Sequence, residues 1–148
     1  MNPIQSIKPF NAIPPGVIKD DAAFTSYVID TAVAGGAKTL AFAILLGTID
    51  ADIATLKVMQ SDTKTNDTTL GGTPDEVVDV LDTITPGDAN DNAVGVLQVN
   101  LQGPHKRYMQ LQATAGDGAA GTYLAAFAML LNVGVPESDL GALFNIEA

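Results

Sequence analysis

The chain has no cysteine, no tryptophan and a single histidine, and it sets 7 Lys+Arg against 17 Asp+Glu in 148 residues. Without cysteine there is no disulfide framework, no thiolate zinc site and no cysteine nucleophile. One histidine, His105, excludes a His-rich metal site and a pair of catalytic histidines. The formal net charge of −10 argues against nucleic acid as a partner, because phosphate binding needs clustered Lys and Arg. Long apolar runs are missing too. The two longest, Leu40–Leu46 and Tyr123–Leu131, fall far short of the roughly 20 residues that cross a bilayer as a helix. The opening MNPIQSIKPFNAIPPG has no basic stretch followed by an apolar one, so no secretory signal is expected. These absences predict a soluble protein, or a component of a protein assembly, made in the cytoplasm.

What is present is enough for a core: 47% of residues are hydrophobic and only 16% charged. The length suits one domain. Residues 1–20 read as an extended N-terminal arm, 21–132 as the folded domain and 133–148 as a C-terminal tail. In the arm, Pro3, Pro9, Pro14 and Pro15 break regular elements, while Ile4, Ile7, Phe10 and Ile13 recur every third residue. That period suits a polyproline-like segment with one apolar edge. It reads either as a disordered tail or as an arm docking on a neighbouring subunit or on its own domain. The tail carries Pro136, then Leu140, Leu143, Phe144 and Ile146, as a last helical turn or a second docking arm.

Between the arms the pattern is that of short strands. Phe24–Thr31 is rich in β-branched and aromatic residues. Thr39–Leu46 and Gly121–Asn132 are apolar on both faces, as mid-sheet strands are. The alanines of the second leave a helix as its alternative. Ile53–Gln60 alternates, and Ser61–Gly72 is a polar loop. Thr73-Pro74-Asp75-Glu76 has the form of a capping box, and Val77, Val78, Leu81 and Ile84 follow at helical spacing. A short helix near 74–82 is expected, a connecting strand being the alternative.

Gly95–Gln102 and Arg107–Thr114 both alternate, and one hairpin register satisfies them. Leu101, Val99 and Leu97 meet Met109, Leu111 and Ala113 on the buried face, and Gln102, Asn100 and Gln98 meet Tyr108, Gln110 and Gln112 on the other. The fold expected is all-β: an antiparallel, jelly-roll-like sandwich of about seven strands, with one short helical insert and two extended arms.

Charge is uneven. Residues 50–91 hold ten acids against two lysines, whereas residues 92–135 hold one acid against two basic groups. The second region carries the neutral amide face, which can be desolvated without stranding charge. The candidate protein contact is therefore Gln98, Asn100, Gln102, Tyr108, Gln110 and Gln112, with Ile4, Ile7 and Phe10 of the arm. An ordinary solvent-facing surface is the competing reading.

Catalytic signals are poor. His105 sits in a proline turn beside Lys106 and Arg107, most simply an exposed hairpin tip. No serine lies in a Gly-x-Ser-x-Gly elbow. Asp88-x-Asn90-x-Asn92 starts like a calcium loop, but Ala93 replaces the turn glycine and Val99 the bidentate glutamate, which rules out an EF-hand. A weaker cation site through Asp88, Asn90 and Asp91 stays open. Asp75, Glu76, Asp79 and Asp82 suit a solvated acidic face better than paired acid–base groups. Gly116–Gly121 lacks the lysine of a phosphate loop and reads as a hairpin turn. No catalytic, cofactor-binding or metal-binding residue is assigned.

One order of features is distinctive. Leu56-Lys57-Val58-Met59-Gln60-Ser61-Asp62 ends a strand, a polar loop follows, then Lys106-Arg107-Tyr108-Met109-Gln110-Leu111-Gln112-Ala113-Thr114, and Gly118 with Gly121-Thr122-Tyr123 leads into a strand rich in small residues. Over residues 25–132 this resembles the small β-sandwich decoration, or cement, proteins encoded near the major capsid protein of tailed phages. The strand end reads QSD where ESD is commoner, and the arms lie outside the likeness. The resemblance implies a non-enzymatic virion protein on the outer capsid surface, synthesised in the host cytoplasm. Its partner would be the major capsid protein, and it would act as a closed homo-oligomer, a trimer favoured, with no cofactor, nucleic acid or membrane. A carbohydrate- or receptor-binding module of a tail or fibre is the alternative, weakened by the lack of Trp and by only three Tyr. An enzyme is third.

Overall fold

Strand-forming sequence dominates the computed structural model, which describes residues 7–34, 37–77 and 91–131. Ten strands occur among these residues, where about seven were expected. They are β1 (Ile7–Ile13), β2 (Val28–Asp30), β3 (Thr39–Ile49), β4 (Thr55–Ser61), β5 (Lys64–Asn66), β6 (Thr69–Leu70), β7 (Asp75–Glu76), β8 (Val94–Asn100), β9 (Tyr108–Thr114) and β10 (Thr122–Leu131). A 3-10 turn at Thr31–Ala34 follows β2. The additional strands are the arm strand β1 and the short elements β5, β6 and β7.

The strands form two four-stranded sheets and one small ribbon. The first sheet has the order β1-β10-β3-β8, the second β2-β9-β4-β7, and β5 pairs with β6. Every pairing is antiparallel. β3 and β10, apolar on both faces over most of their length, take the two central places of the first sheet, as their composition predicts. One core joins the sheets. Leu40, Phe42 and Ile44 of β3, Leu97 and Val99 of β8, and Leu124 and Leu130 of β10 meet Met109 and Leu111 of β9, Val58 of β4 and Ile29 of β2. Each such side chain, fully buried, contributes about 1.5–3 kcal/mol.

The expected β8–β9 hairpin does not form. β8 pairs with β3 in the first sheet, and β9 lies between β2 and β4 in the second. The alternation within each segment holds, since Leu97, Val99, Met109, Leu111 and Ala113 are all buried. Their apolar faces meet across the core instead of side by side. Alternation fixes which face of a strand is greasy; it does not name the neighbouring strand. β9 matches β4 residue for residue, from Thr55 opposite Thr114 to Ser61 opposite Tyr108, so the long-range pairing prevails. The 115–121 turn likewise crosses from the second sheet to the first, and is not a hairpin turn.

Two further expectations change. Asp75 and Glu76 do not begin a helix: they pair with Gln60 and Met59 of β4, and Val77 N–H donates to Val58 O. Residues 78–90, which include the rest of that expected helix, lie outside the described residues. Ile7–Ile13 is an edge strand on β10, so this part of the arm docks on its own domain. Ile7 and Phe10 therefore face opposite sides, as a three-residue separation dictates in a period-two strand, and they do not share one polyproline edge. Pro9 is tolerated because an edge strand leaves one side of its backbone unpaired.

Candidate functional site

The outward side chains of the first sheet line up in cross-strand rows. In one row Phe127 lies between Asn11 and Ala43, and Ala43 is followed by Val96. The next holds Ala125, Leu45 and Val94, and a third Pro9, Met129, Ala41 and Gln98. A fourth holds Ile7, Leu131, Thr39 and Asn100. None of these residues is charged. Ala41, Ala43, Met129 and Leu131 form a second buried cluster, with Ile7 and Val96 packed against it. Beyond it the face is open: Val94 is 69% exposed, Tyr123 46%, Leu45 44% and Phe127 40%. Gly47 makes room for the tyrosine, since a Cβ there would lie 2.7 Å from the Tyr123 Cβ. Large apolar side chains grouped on an exposed sheet face make a candidate interaction surface.

Sequence reasoning missed this face, although its signal was there. β3 and β10 are apolar on both sides, and two sheets can cover only one side of each.

The predicted contact residues are not brought together. Gln98 is half-buried and Asn100 exposed on the outer face of the first sheet, where Asn100 Oδ1 accepts from Gln102 N–H at 2.9 Å. Tyr108, Gln110 and Gln112 lie on the outer face of the second sheet. Tyr108 is half-buried, with the Arg107 guanidinium 5.0 Å from its ring centroid. Ile7 joins the second cluster, Phe10 packs against the main core, and Ile4 lies outside the described residues.

Gln110 is buried rather than presented. Its Nε2 donates to Ser26 O at 3.0 Å and to Thr68 O at 2.9 Å, and its Oε1 accepts from Gln112 Nε2 at 3.1 Å. The segment read as a polar loop is the reason. β5 and β6 fold over the second sheet, where Ser61 Oγ donates to Gly71 O and Val28 N–H to Asp67 O. The amide side chain supplies donors to carbonyls that the covering ribbon would otherwise bury unpaired.

Among the described residues, several of the groups singled out for chemistry make contacts within the chain. His105 is exposed, in a shallow depression with Lys38, Asp62 and Arg107, and its Nδ1 lies 2.9 Å from Gly103 O. Lys106 Nζ pairs with Asp75, whose carboxyl that hydrogen bond holds below the usual carboxylate range. Asp91 Oδ1 accepts from Ile49 N–H at 2.7 Å, and Asn92 takes the left-handed conformation (φ 57°). Asp88, Asn90, Asp79 and Asp82 lie outside the described residues. In the glycine-rich turn, Ala120 N–H donates to the Asp50 carboxylate and Gly118 N–H to Asp20 Oδ1 at 2.9 Å. The chain's own carboxylates fill the places a phosphate would take, and the Ala120 amide chiefly lowers the Asp50 pKa. Among the described residues no group of three or more His, Asp or Glu could hold a metal ion.

Comparison with protein families, curated proteins and solved structures finds no match to this chain.

Proposed function

We propose that the chain is a non-enzymatic virion structural protein that decorates a phage capsid, binding the major capsid protein through the outer face of the first sheet. The observation carrying this reading is the uncharged, open apolar patch of Leu45, Val94, Tyr123 and Phe127. In a chain of net charge −10, a face without charge can be desolvated against another protein at little cost. The topology is compatible. With the β5–β6 ribbon set aside, eight strands divide four and four between two sheets in an order compatible with a jelly-roll sandwich, an architecture used by capsid and lectin domains. The resemblance over residues 25–132 points the same way. A closed trimer would multiply a modest contact at each capsid site.

The test is co-sedimentation with shells of the capsid protein from the chain's own phage. Leu45 and Val94 are cross-strand partners, so Leu45→Lys with Val94→Glu replaces an apolar pair by an ion pair and preserves the sheet. The native chain is expected to pellet with shells and the double variant to stay in solution. Failure of the native chain to bind, or equal binding by both, overturns the reading.

A further inference from the structure

The second sheet carries a groove of about 530 Å³ unrelated to the apolar face. One wall is the 23–26 segment, the other the 68–70 stretch of the covering ribbon, and β9 supplies the floor through Gln112 and Thr114. The size lies within the range of small-ligand sites. Its chemistry is unusual for this chain, because no charged residue lines it in spite of 17 acids. Hydroxyls and amides do: Thr25, Thr55, Thr69 and Thr114 with Gln112. None of those four threonine hydroxyls makes a side-chain hydrogen bond with another described residue.

The walls are fixed in advance. Gln110 ties one to the other through Ser26 O and Thr68 O, and also holds the Gln112 amide. A groove braced by a buried amide loses little freedom when it is filled. Hydroxyls both donate and accept, so their natural counterpart is a ligand whose own groups do both. Threonine methyls and the Pro74 ring offer apolar surface between them. We infer that this groove binds a neutral saccharide, its hydroxyls meeting the threonines and the Gln112 amide and its C–H face lying on Pro74. Phe24 lines the groove but is buried and offers little aromatic surface for stacking, so a single site should bind at about millimolar strength.

Titration of the full-length ¹⁵N-labelled chain with maltotriose, cellotriose, chitotriose and mannotriose, and with sialyllactose as the anionic counterpart, tests this. At least one neutral sugar should move the amides of residues 23–26, 68–70 and 110–114, and sialyllactose should not. Gln112→Ala and Thr69→Val should each weaken that binding by about fivefold, the value of one lost hydrogen bond. Leu45→Lys with Val94→Glu should leave it unchanged, which separates this site from capsid binding. No shift from any neutral sugar at about 20 mM, far above a millimolar constant, shifts mapping elsewhere, or shifts indifferent to both groove variants would overturn the assignment.

Discussion

Asp30 and Arg107 form a two-pronged ion pair: Arg107 Nε donates to Asp30 Oδ1 at 2.9 Å and Nη2 to Oδ2 at 2.8 Å. It joins the end of β2 to the residue preceding β9, and Thr31 adds N–H and Oγ hydrogen bonds to Arg107 O at 3.0 and 2.7 Å. The connection that carries the chain from the first sheet to the second is thus pinned where it enters its new sheet.

The Arg107 hydrogen bond is the largest cause holding the Asp30 carboxyl below its ordinary value. Near pH 4 the unfolded chain then binds more protons at this group than the folded one, so stability rises with pH. The contribution is complete above the unfolded value of about 3.9 and is lost as pH falls through the lower folded value. Asp30→Asn should lower the thermal midpoint at pH 7, and the difference from the native chain should shrink toward zero in melts at progressively more acid pH. Arg107→Lys, which loses the fork geometry, should lie between. A difference that persists unchanged in acid would contradict this account of the pair.

Gly121, immediately before β10, has φ +79°, and a Cβ there would lie 2.4 Å from Ile18 Cγ2 and 2.6 Å from Lys19 O. Lys19 and Thr122 exchange backbone hydrogen bonds across this point, which leaves the carbonyl little freedom to retreat. Gly121→Ala should cost about 2 kcal/mol or more in urea unfolding, from strain and clash together. Gly103→Ala has open space around its Cβ and should be nearly neutral. Equal effects at both positions would contradict the close approach.

Gln110→Glu replaces an amide donor by a carboxyl facing two carbonyl oxygens in a buried site. The loss should be about 2–3 kcal/mol or more at pH 7. Burial and the carbonyls raise the new group's pKa above the unfolded value of about 4.3. The folded state then binds the extra proton, so the penalty grows as pH rises through that window. Urea midpoints at pH 4 and pH 7 should show the variant closer to the native chain at pH 4. Gln112→Glu, at a half-buried position, should cost less.

Much of the fold is legible in single strands. β3, β4, β8, β9 and β10 lie where hydrophobic patterning puts them, because side-chain alternation is a local consequence of the pleat. Partner choice is not local. Val99 and Leu111 share a buried core in either topology, and only the competing match of β9 to β4 settles which sheet each joins. Asp75 and Glu76 show the same limit: a sound capping pattern yields to pairing with β4 and to the Lys106 contact. The amide row was visible in sequence, but the ribbon that covers Gln110 was read as a loop, so a structural donor looked like a surface.

The sheet change between β8 and β9 can be tested by crosslinking in a chain that has no cysteine of its own. Ala43 and Val96 are register partners on the outer face of the first sheet. Antiparallel partners have Cα separations of about 4.5–5.5 Å, within reach of a disulfide. Ala43→Cys with Val96→Cys should therefore oxidise readily in the folded protein, giving a faster-migrating band on non-reducing gels. Asn100→Cys with Gln110→Cys would be directly opposed in a β8–β9 hairpin, yet here they occupy the outer faces of different sheets. That pair should stay reduced in the folded protein under the same mild oxidation. Rapid closure of the 100–110 pair would restore the hairpin. It would also move the amide row back onto a single face and remove the reason for placing the contact surface on Leu45, Val94, Tyr123 and Phe127.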